Sequence, residues 1–345
     1  MRALKIVVSG ILGLSFWFMV FYPASYAAEG VDLTTSPLPI SLSVLPGNSV
    51  TTDVRVKNEG ATTQQLKVSL MKFTAYGESG KPALKDREPG DDYFDWVSFS
   101  PSSFSAPPGQ WQTIKMTIST PKTAAFGYYY AVVFTPQTAK PTGRGNVLIG
   151  STAVLVLVDV QSPNAKRSLQ TLSFNSDHQV YEFLPVKFSI KFHNDGNVHV
   201  LPHGDIFIKK GSRQVATLSF NSQQGNILPG TNRIYTTSWG DGFPVPTQKQ
   251  QGGKSVLDND GQPEIQYNWD FSKFSKLRFG RYSAQLLAVY DNGHQDVPLE
   301  ASVSFWVIPW RVIGAILVIA LLAGIGLWSS GRNIFRKIKK IRSKK

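Results

Sequence analysis

The chain has 345 residues, a formal net charge of +13 and no cysteine. The absence of cysteine excludes a disulfide framework and a thiolate metal site, so any folded region must be stabilised by its hydrophobic core. The positive charge by itself would suggest a nucleic-acid partner, but most of it lies in a tail at the C-terminus, and the long middle of the chain is close to neutral. We therefore expect no nucleic-acid partner.

The N-terminus has the pattern of an export signal. Arg2 and Lys5 precede an uncharged apolar stretch that is short for a membrane span. Ser25 and Ala27 then supply the small residues that a signal peptidase requires before the cleavage site. Residues 1–27 are therefore predicted to be a signal peptide that is cleaved after Ala27. An uncleaved signal anchor is the alternative.

The middle of the chain is predicted to be all-β. Apolar and polar residues alternate with a period of two, for example over 54–57 and 114–118, and Gly and Pro separate these runs. This pattern is typical of two tandem immunoglobulin-like β-sandwich domains. We place domain 1 at residues 28–158 and domain 2 at residues 168–307, joined by a polar linker at 159–167.

The two predicted domains repeat three landmarks in the same order, which indicates an internal duplication. The landmarks are the strand ends at 56–60 and 192–196, the Pro-Gly turns at 108–109 and 229–230, and the Phe-Gly strand starts at 126–131 and 279–284. The spacings between landmarks differ, and the excess residues fall near 80–95 in domain 1 and 239–271 in domain 2. Because turns tolerate changes of length, we interpret both excesses as inserted loops.

The C-terminal region is predicted to cross a membrane once. Residues 308–330 are uncharged except for Arg311 and are long enough to span the hydrocarbon, and tryptophans stand near both ends. The tail at 331–345 is basic and has no acidic residue, so it is predicted to stay in the cytoplasm and the domains outside the cell. The tail can also lie against anionic lipid of the inner leaflet.

The layout resembles a known family. Domain 1 contains Pro46-Gly47, the strand from Val54 to Asn58, Trp96-Val97, Pro108-Gly109 and Gly127-Tyr128-Tyr129. These motifs and the order of segments are similar to those of the WxL-interacting cell-surface proteins of Gram-positive bacteria. The resemblance implies that the membrane-proximal domain holds surface proteins that carry a WxL module. It also implies that the distal domain associates with peptidoglycan.

Two groups of residues are candidates for contact with a partner. An acidic and aromatic cluster precedes the strand that Trp96 opens, where aromatic faces can stack on sugar rings, although this tryptophan is also a typical core residue. Three consecutive tyrosines must point to both faces of their strand, so at least one is exposed unless a loop or partner covers it. The predicted ligand- or partner-binding residues are Asp92, Tyr93, Asp95, Trp96, Tyr128, Tyr129 and Tyr130.

Three histidines, His193, His199 and His203, lie around one predicted turn. A tight hairpin there would bring His193 opposite His199, and imidazoles are zinc ligands. Exposed positions on two strands joined by a tight turn explain the same residues without a metal. No metal or cofactor is predicted.

The leading hypothesis for the function is a non-enzymatic, membrane-anchored surface scaffold or adhesion protein. Its predicted partners are cell-wall glycan, other surface proteins, or both. The alternative is a chaperone-like protein that handles subunits through an exposed strand edge. An envelope enzyme that acts on glycan is the third hypothesis and depends only on the carboxylates of the acidic and aromatic cluster.

Overall fold

The computed structural model describes residues 32–137, 151–258 and 263–342. The predicted signal peptide lies outside these residues. The described chain forms two β-sandwiches in tandem, followed by one apolar helix. This confirms the predicted all-β class with two immunoglobulin-like domains.

Domain 1 is built from two packed sheets. One sheet has the strand order β1-β3-β8-β6 and the other has the order β2-β10-β9-β4-β5, with β7 also paired to β4. The strands are β1 (Leu33–Ser36), β2 (Ile40–Val44), β3 (Ser49–Asn58), β4 (Gln64–Tyr76), β5 (Lys81–Lys85), β6 (Val97–Ser100), β7 (Ser103–Ala106), β8 (Trp111–Ser119), β9 (Phe126–Pro136) and β10 (Thr152–Val160). A 3-10 helix at Asp92–Trp96 precedes β6.

Domain 2 repeats the two-sheet arrangement. Its sheets have the orders β11-β13-β16 and β12-β22-β21-β14-β15. The strands are β11 (Leu169–Ser176), β12 (Val180–Tyr181), β13 (Val186–Asn194), β14 (His203–Lys210), β15 (Arg213–Phe220), β16 (Asn232–Trp239), β21 (Gly280–Asp291) and β22 (Asp296–Val307). The inserted residues form two small hairpin sheets from β17 (Val245–Gln248), β18 (Gln250–Gln251), β19 (Lys254–Ser255) and β20 (Ile265–Asn268), and then a 3-10 helix at Phe271–Lys276.

Each sandwich has its own hydrophobic core, made by the side chains that alternate along the strands. In domain 1, Val54 and Val56 on β3 lie on the same face of the sheet as Ile114 and Met116 on the neighbouring β8, and all four are fully buried. In domain 2 the core includes Trp239 and residues of β13 and β21. The period-two pattern therefore predicts which face of each strand is buried, because successive side chains in a strand point to opposite faces.

A buried asparagine at the end of β3 recurs at the end of β13. Asn58 donates from Nδ2 to the carbonyl oxygens of Thr62 and Ala106, at 2.7 and 2.9 Å, and its Oδ1 accepts from the Gly60 N–H. Asn194 makes the same three bonds, donating to Val198 and Ile227 and accepting from Gly196.

The Pro-Gly turns that follow are held in the same way in both domains. The Gly109 N–H donates to the Asn58 carbonyl, and the Gly230 N–H donates to the Asn194 carbonyl, at 2.7 and 2.9 Å. Both glycines have positive φ, of 69° and 66°, which non-glycine residues rarely adopt. The repeated landmarks therefore form the same hydrogen-bonded arrangement in both domains.

The apolar helix, α1, spans Trp310–Arg342. Only Ile308 and Pro309 separate it from β22, so domain 2 is connected to it without a spacer. Its segment Trp310–Ser329 is long and apolar enough to cross a membrane, and none of it is buried against the sandwiches. The helix starts two residues after the predicted boundary and extends beyond residue 330. No proline interrupts the tail, and its Ile, Lys and Arg residues are compatible with a helix.

Candidate functional site

The tip of the β4–β5 hairpin of domain 1 contacts domain 2. The Glu78 carboxylate pairs with Lys191 at 2.7 Å and accepts a hydrogen bond from the Asn232 side chain at 2.8 Å. The Glu78 carbonyl accepts from the Ile234 N–H. Hydrogen bonds from Lys191 and Asn232 hold the pKa of Glu78 below its usual value. The insertion predicted near residue 80 therefore fastens one sandwich to the other.

A second contact joins the domains on the other side. The Gly127 N–H donates to the Asn197 carbonyl at 3.2 Å, and the Tyr129 ring packs edge-on against His199, with ring centroids 5.8 Å apart. Burial lowers the pKa of His199 to about 4 and raises the pKa of Tyr129. Both groups are therefore held in their neutral forms within this contact.

Between the two contacts lies a cavity of about 280 Å³, here called the interdomain cavity. The wall from domain 1 is mainly apolar, because the outer face of its sheet carries hydrophobic side chains as well as the inner face. The wall from domain 2 is formed by residues 223–228 and 231–233 and is mainly polar, apart from Ile227 and Leu228. The apolar side is lined by Leu38, Pro39, Phe73, Ala75, Leu155 and Leu157.

Arg233 on β16 lines the interdomain cavity from domain 2, and Lys81 lines it from domain 1. The Arg233 guanidinium lies over the Tyr235 ring, 5.2 Å from the centroid, and donates to the Asn226 carbonyl at 2.7 Å. Its Nε is buried and has no hydrogen-bond partner, and among the described residues no carboxylate forms an ion pair with it. A Cβ added at Gly80 or Gly225 would overlap the guanidinium, so glycines on both domains make room for it. The arrangement can accept a carboxylate from outside the described chain.

Strand β10 borders the interdomain cavity and is paired on both sides over only part of its length. Its whole length pairs with β9, but β2 pairs only with residues 156–160. Over Thr152–Leu155, the described strands leave the second edge open. The chain before β2 contains Pro37 and Pro39, which lack an N–H and cannot extend the ladder along β10.

The acidic and aromatic cluster predicted to bind a ligand is mostly occupied by contacts within domain 1. Asp95 accepts two hydrogen bonds from Arg87, at 2.6 and 2.7 Å, which lower its pKa. Tyr93 and Trp96 are half-buried and pack on the core, and burial raises the pKa of Tyr93 to about 12. Asp92 is exposed. Ligand contact by these residues stays a prediction.

The three tyrosines are divided between the two faces of β9. Tyr130 is fully buried in the core and donates from its hydroxyl to the Tyr93 carbonyl at 3.0 Å. Tyr128 packs on Trp96, with ring centroids 4.7 Å apart. Tyr129 lies on the opposite face and is covered by domain 2 through His199. None of the three is fully exposed, because a neighbouring domain covers the side that the strand pattern predicted to be open. A role in partner binding stays a prediction.

The predicted histidine hairpin is not formed. His193 contacts the Asn232 side chain at 2.7 Å and Asp195 at 3.3 Å, whereas His199 lies at the domain contact. In the described part of the chain, no group of three or more His, Asp or Glu side chains is placed to hold a metal ion. The turn after Asn194 is occupied by the asparagine hydrogen bonds, so it cannot close as a two-residue hairpin.

Sequence reasoning missed Arg233 and the open edge of β10. The continuous apolar pattern of β9 and β10 is typical of central strands, so it gives no indication of an open edge. The signal for Arg233 is weak, since a single arginine in an alternating strand normally faces solvent.

No protein-family model and no curated protein matches this chain. Among solved structures, the class 5 fimbriae chaperone CfaA matches with 18% identity and a TM-score of 0.35, over 69% of this chain and 99% of that one. The CsuC–CsuE chaperone complex of Acinetobacter baumannii matches with 10% identity and a TM-score of 0.35, over 78% and 97%. The YadV chaperone matches with 11% identity and a TM-score of 0.34, over 79% and 100%. These likenesses concern the type of fold only, and the family resemblance of the sequence stays a prediction.

Proposed function

We propose that this protein is a membrane-anchored surface protein that binds an extended segment of another exported polypeptide. The segment adds a strand to the open edge of β10 at Thr152–Leu155 and places a carboxylate on Arg233. This is the strand-edge alternative raised by the sequence. The observation that carries it is the open edge beside an apolar cavity that contains an uncompensated cation.

The edge supports strand addition because its backbone groups need partners. An edge strand offers a row of N–H and C=O groups, and proteins usually protect such edges with charges or proline. The edge strand β5, in the same sheet, carries Lys81, Pro82 and Lys85. Residues Thr152–Leu155 have neither a charge nor a proline. An added strand supplies the main-chain bonds, and pockets beside the edge supply specificity.

The interdomain cavity supports recognition of the side chains of that segment. Leu155 and Leu157 project from β10 into the apolar wall. An apolar residue of the ligand would bury surface there, at about 25 cal/mol per Å². A nearby carboxylate would pair with the Arg233 guanidinium, and such a charge-assisted bond contributes about 1.5–3 kcal/mol.

The expected location of the two sandwiches, outside the cell and anchored to the membrane, supports the same proposal. The apolar segment of α1 fits a single membrane span, and the basic tail favours an orientation with the sandwiches outside the cell. A single-pass surface protein with the layout of this chain meets exported polypeptides as they leave the membrane. A scaffold that holds peptidoglycan or WxL surface proteins remains the prediction from the sequence resemblance, and so does the absence of enzymatic activity.

The test uses the full chain in phospholipid nanodiscs. It is screened against an array of 15-residue peptides that covers the exported proteins of its own cells. We expect binding by peptides with alternating apolar residues and a carboxylate. In hydrogen exchange, the bound peptide should slow exchange at the amides of 152–155 and leave those of β22 unchanged. The proposal is wrong if no peptide binds, or if bound peptides protect other strands only.

Two variants connect binding to the site. Arg233→Gln should weaken binding of carboxylate-bearing peptides about tenfold, because a charge-assisted bond is lost. Gly225→Ala should displace the guanidinium and weaken binding in the same direction. The matched control is Arg213→Gln on the exposed edge strand β15, which should bind as the unmodified protein does. Retention on purified peptidoglycan that is insensitive to Arg233→Gln would instead favour the scaffold hypothesis.

A further inference from the structure

The inserted segment of domain 2 carries a patch of aromatic side chains. Phe243 is buried at its centre and contacts Trp269, Phe271 and Phe274, with ring centroids 5.6, 5.5 and 5.3 Å away. Phe183 is also buried and contacts Trp269 at 5.7 Å. We call these five residues the aromatic patch.

The outer residues of the aromatic patch are unusually exposed for their type. Phe271 is 70% exposed, Phe274 is 48% exposed and Trp269 is 45% exposed. Three large aromatic side chains that are contiguous and face water are costly to maintain, because apolar surface restricts the orientational freedom of the adjacent water. Contiguous apolar surface of this kind marks a contact with another apolar phase.

The aromatic patch lies beside the start of α1. Phe183 follows β12, which pairs with Trp306 and Val307 at the end of β22. The Ile308 N–H donates to the Tyr181 carbonyl at 2.7 Å, and Arg311 approaches Glu182 at 3.5 Å. The patch is thus held to the residues that enter the membrane helix by a chain of direct contacts.

Two exposed tryptophans lie around the start of α1, next to the aromatic patch. Trp306 is 47% exposed and Trp310 is 60% exposed. Tryptophan is enriched where a span crosses the membrane–water interface, because the ring is apolar and its N–H is polar. Lys276 and Arg278 pair with Asp241 at the edge of the inserted segment, and Lys273 lies 4.0 Å from Asp270, so these groups together carry a net charge of only +1.

We infer that the aromatic patch inserts into the outer interfacial layer of the lipid bilayer and gives domain 2 a second membrane contact besides α1. The occupant is the lipid interface itself, since the patch is continuous with the membrane helix and nearly uncharged. Insertion by about 5–10 Å is typical of interfacial aromatic elements. This inference rests on the proposed anchoring by α1. It explains why an insertion too long for a sandwich turn folds beside the last strand.

The test uses the full chain in phosphatidylcholine vesicles. The chain has no cysteine, so single-cysteine variants accept one environment-sensitive NBD label each. Phe271→Cys reports on the patch and Leu321→Cys on α1. Tyr76→Cys is the matched control, since Tyr76 is an aromatic residue in domain 1 with 68% exposure. Quenching by nitroxide-labelled lipid should reduce emission at 271 and 321 about twofold or more and leave position 76 unchanged.

The three labels separate the possible failures. Quenching at 321 with none at 271 overturns the inference and leaves the membrane anchor in place. Absence of quenching at 321 overturns both the anchor and the inference. Equal quenching at 271 and 76 also overturns it, because the whole ectodomain would then lie on the lipid without a specific patch.

Discussion

The last strands of the two sandwiches, β10 and β22, occupy equivalent positions in their sheets, but the residues along their open edges differ. Each pairs along its length with the preceding strand, and each has only a short parallel partner on the other side. The open part of β22 carries exposed Asp296, Pro298 and Glu300. The open part of β10 has no charge or proline. The equivalent edge is therefore protected by charges and a proline in domain 2 and left without them in domain 1.

The outer faces of the same two sheets also differ, since that of domain 2 is largely polar and that of domain 1 is apolar. In domain 2, the outward residues of β21 and β22 are largely polar and exposed, such as Gln285 and Ser302. In domain 1, the outward residues Ala131 and Val133 are buried in an apolar cluster with Met71. Domain 1 therefore uses this face to dock on domain 2 and to form the interdomain cavity, whereas the equivalent face of domain 2 meets solvent.

The largest expected effect on the free energy of unfolding concerns Asn58 and Asn194, whose side chains make equivalent hydrogen bonds in the two sandwiches. Asn58→Ala and Asn194→Ala each remove three hydrogen bonds made by a fully buried side chain, although the Ile227 carbonyl still accepts a hydrogen bond from the Val200 N–H. We expect each to lower the free energy of unfolding by about 4 kcal/mol or more. Denaturant unfolding of the full chain in detergent measures this.

Asn164→Ala, at an exposed linker position, is the control for this comparison and should change the free energy of unfolding by less than about 0.5 kcal/mol. A midpoint like that of the unmodified protein for either core variant would contradict the shared role of the asparagines.

The second prediction concerns the face of domain 1 that domain 2 covers. The pKa of His199 is lowered to about 4 by burial, opposed by the charge of Asp159 and aided by that of Arg167. Unfolding restores a pKa of about 6.5, so the unfolded chain binds a proton that the folded chain does not. The contribution is absent above about pH 6.5. As the pH falls towards 4, stability should decrease by about 1.4 kcal/mol per unit.

His199→Phe should remove this part of the pH dependence, because phenylalanine keeps the ring contact with Tyr129 and does not titrate. His294→Gln is the control, since His294 is exposed in domain 2. The free energy of unfolding, measured from pH 7 to pH 4, gives the slope for each variant. An unchanged slope in His199→Phe would show that another group titrates at the domain contact.

The smallest effect on stability is expected at the open edges themselves. Ala153→Lys places a charge on the open edge of β10, and Ser302→Lys does the same on the protected edge of β22. Ser302 is exposed, so Ser302→Lys should change the free energy of unfolding by about 0.5 kcal/mol or less, whereas Ala153 packs on the apolar cluster of domain 1, so Ala153→Lys should lower it by about 1–2 kcal/mol. Peptide binding should fall about tenfold for Ala153→Lys only, because a charge beside the edge opposes strand addition. Equal binding by both variants would argue against the β10 edge as the site.

Much of the fold follows from the order of residues alone. The alternation in β3 and β8 predicts their buried faces, and the two Asn-x-Gly and Pro-Gly landmarks predict the duplication, because local hydrogen bonds and strand geometry are properties of neighbouring residues. The apolar segment at the C-terminus is a property of composition. These signals are local, so they can be read without knowing what each element contacts.

Only the tertiary structure decides the site. The sequence predicts that at least one of the three tyrosines is exposed unless something covers it, and it leaves the role of His199 open. In the structure, Tyr129 and His199 cover each other where the sandwiches meet. The half-buried Arg233 guanidinium can occupy its place only because Gly80 and Gly225, from different domains, leave room around it. Burial of a charge, the opening of a strand edge and the exposure of the aromatic patch depend on which segments pack together across the chain, and residue order does not specify that packing directly.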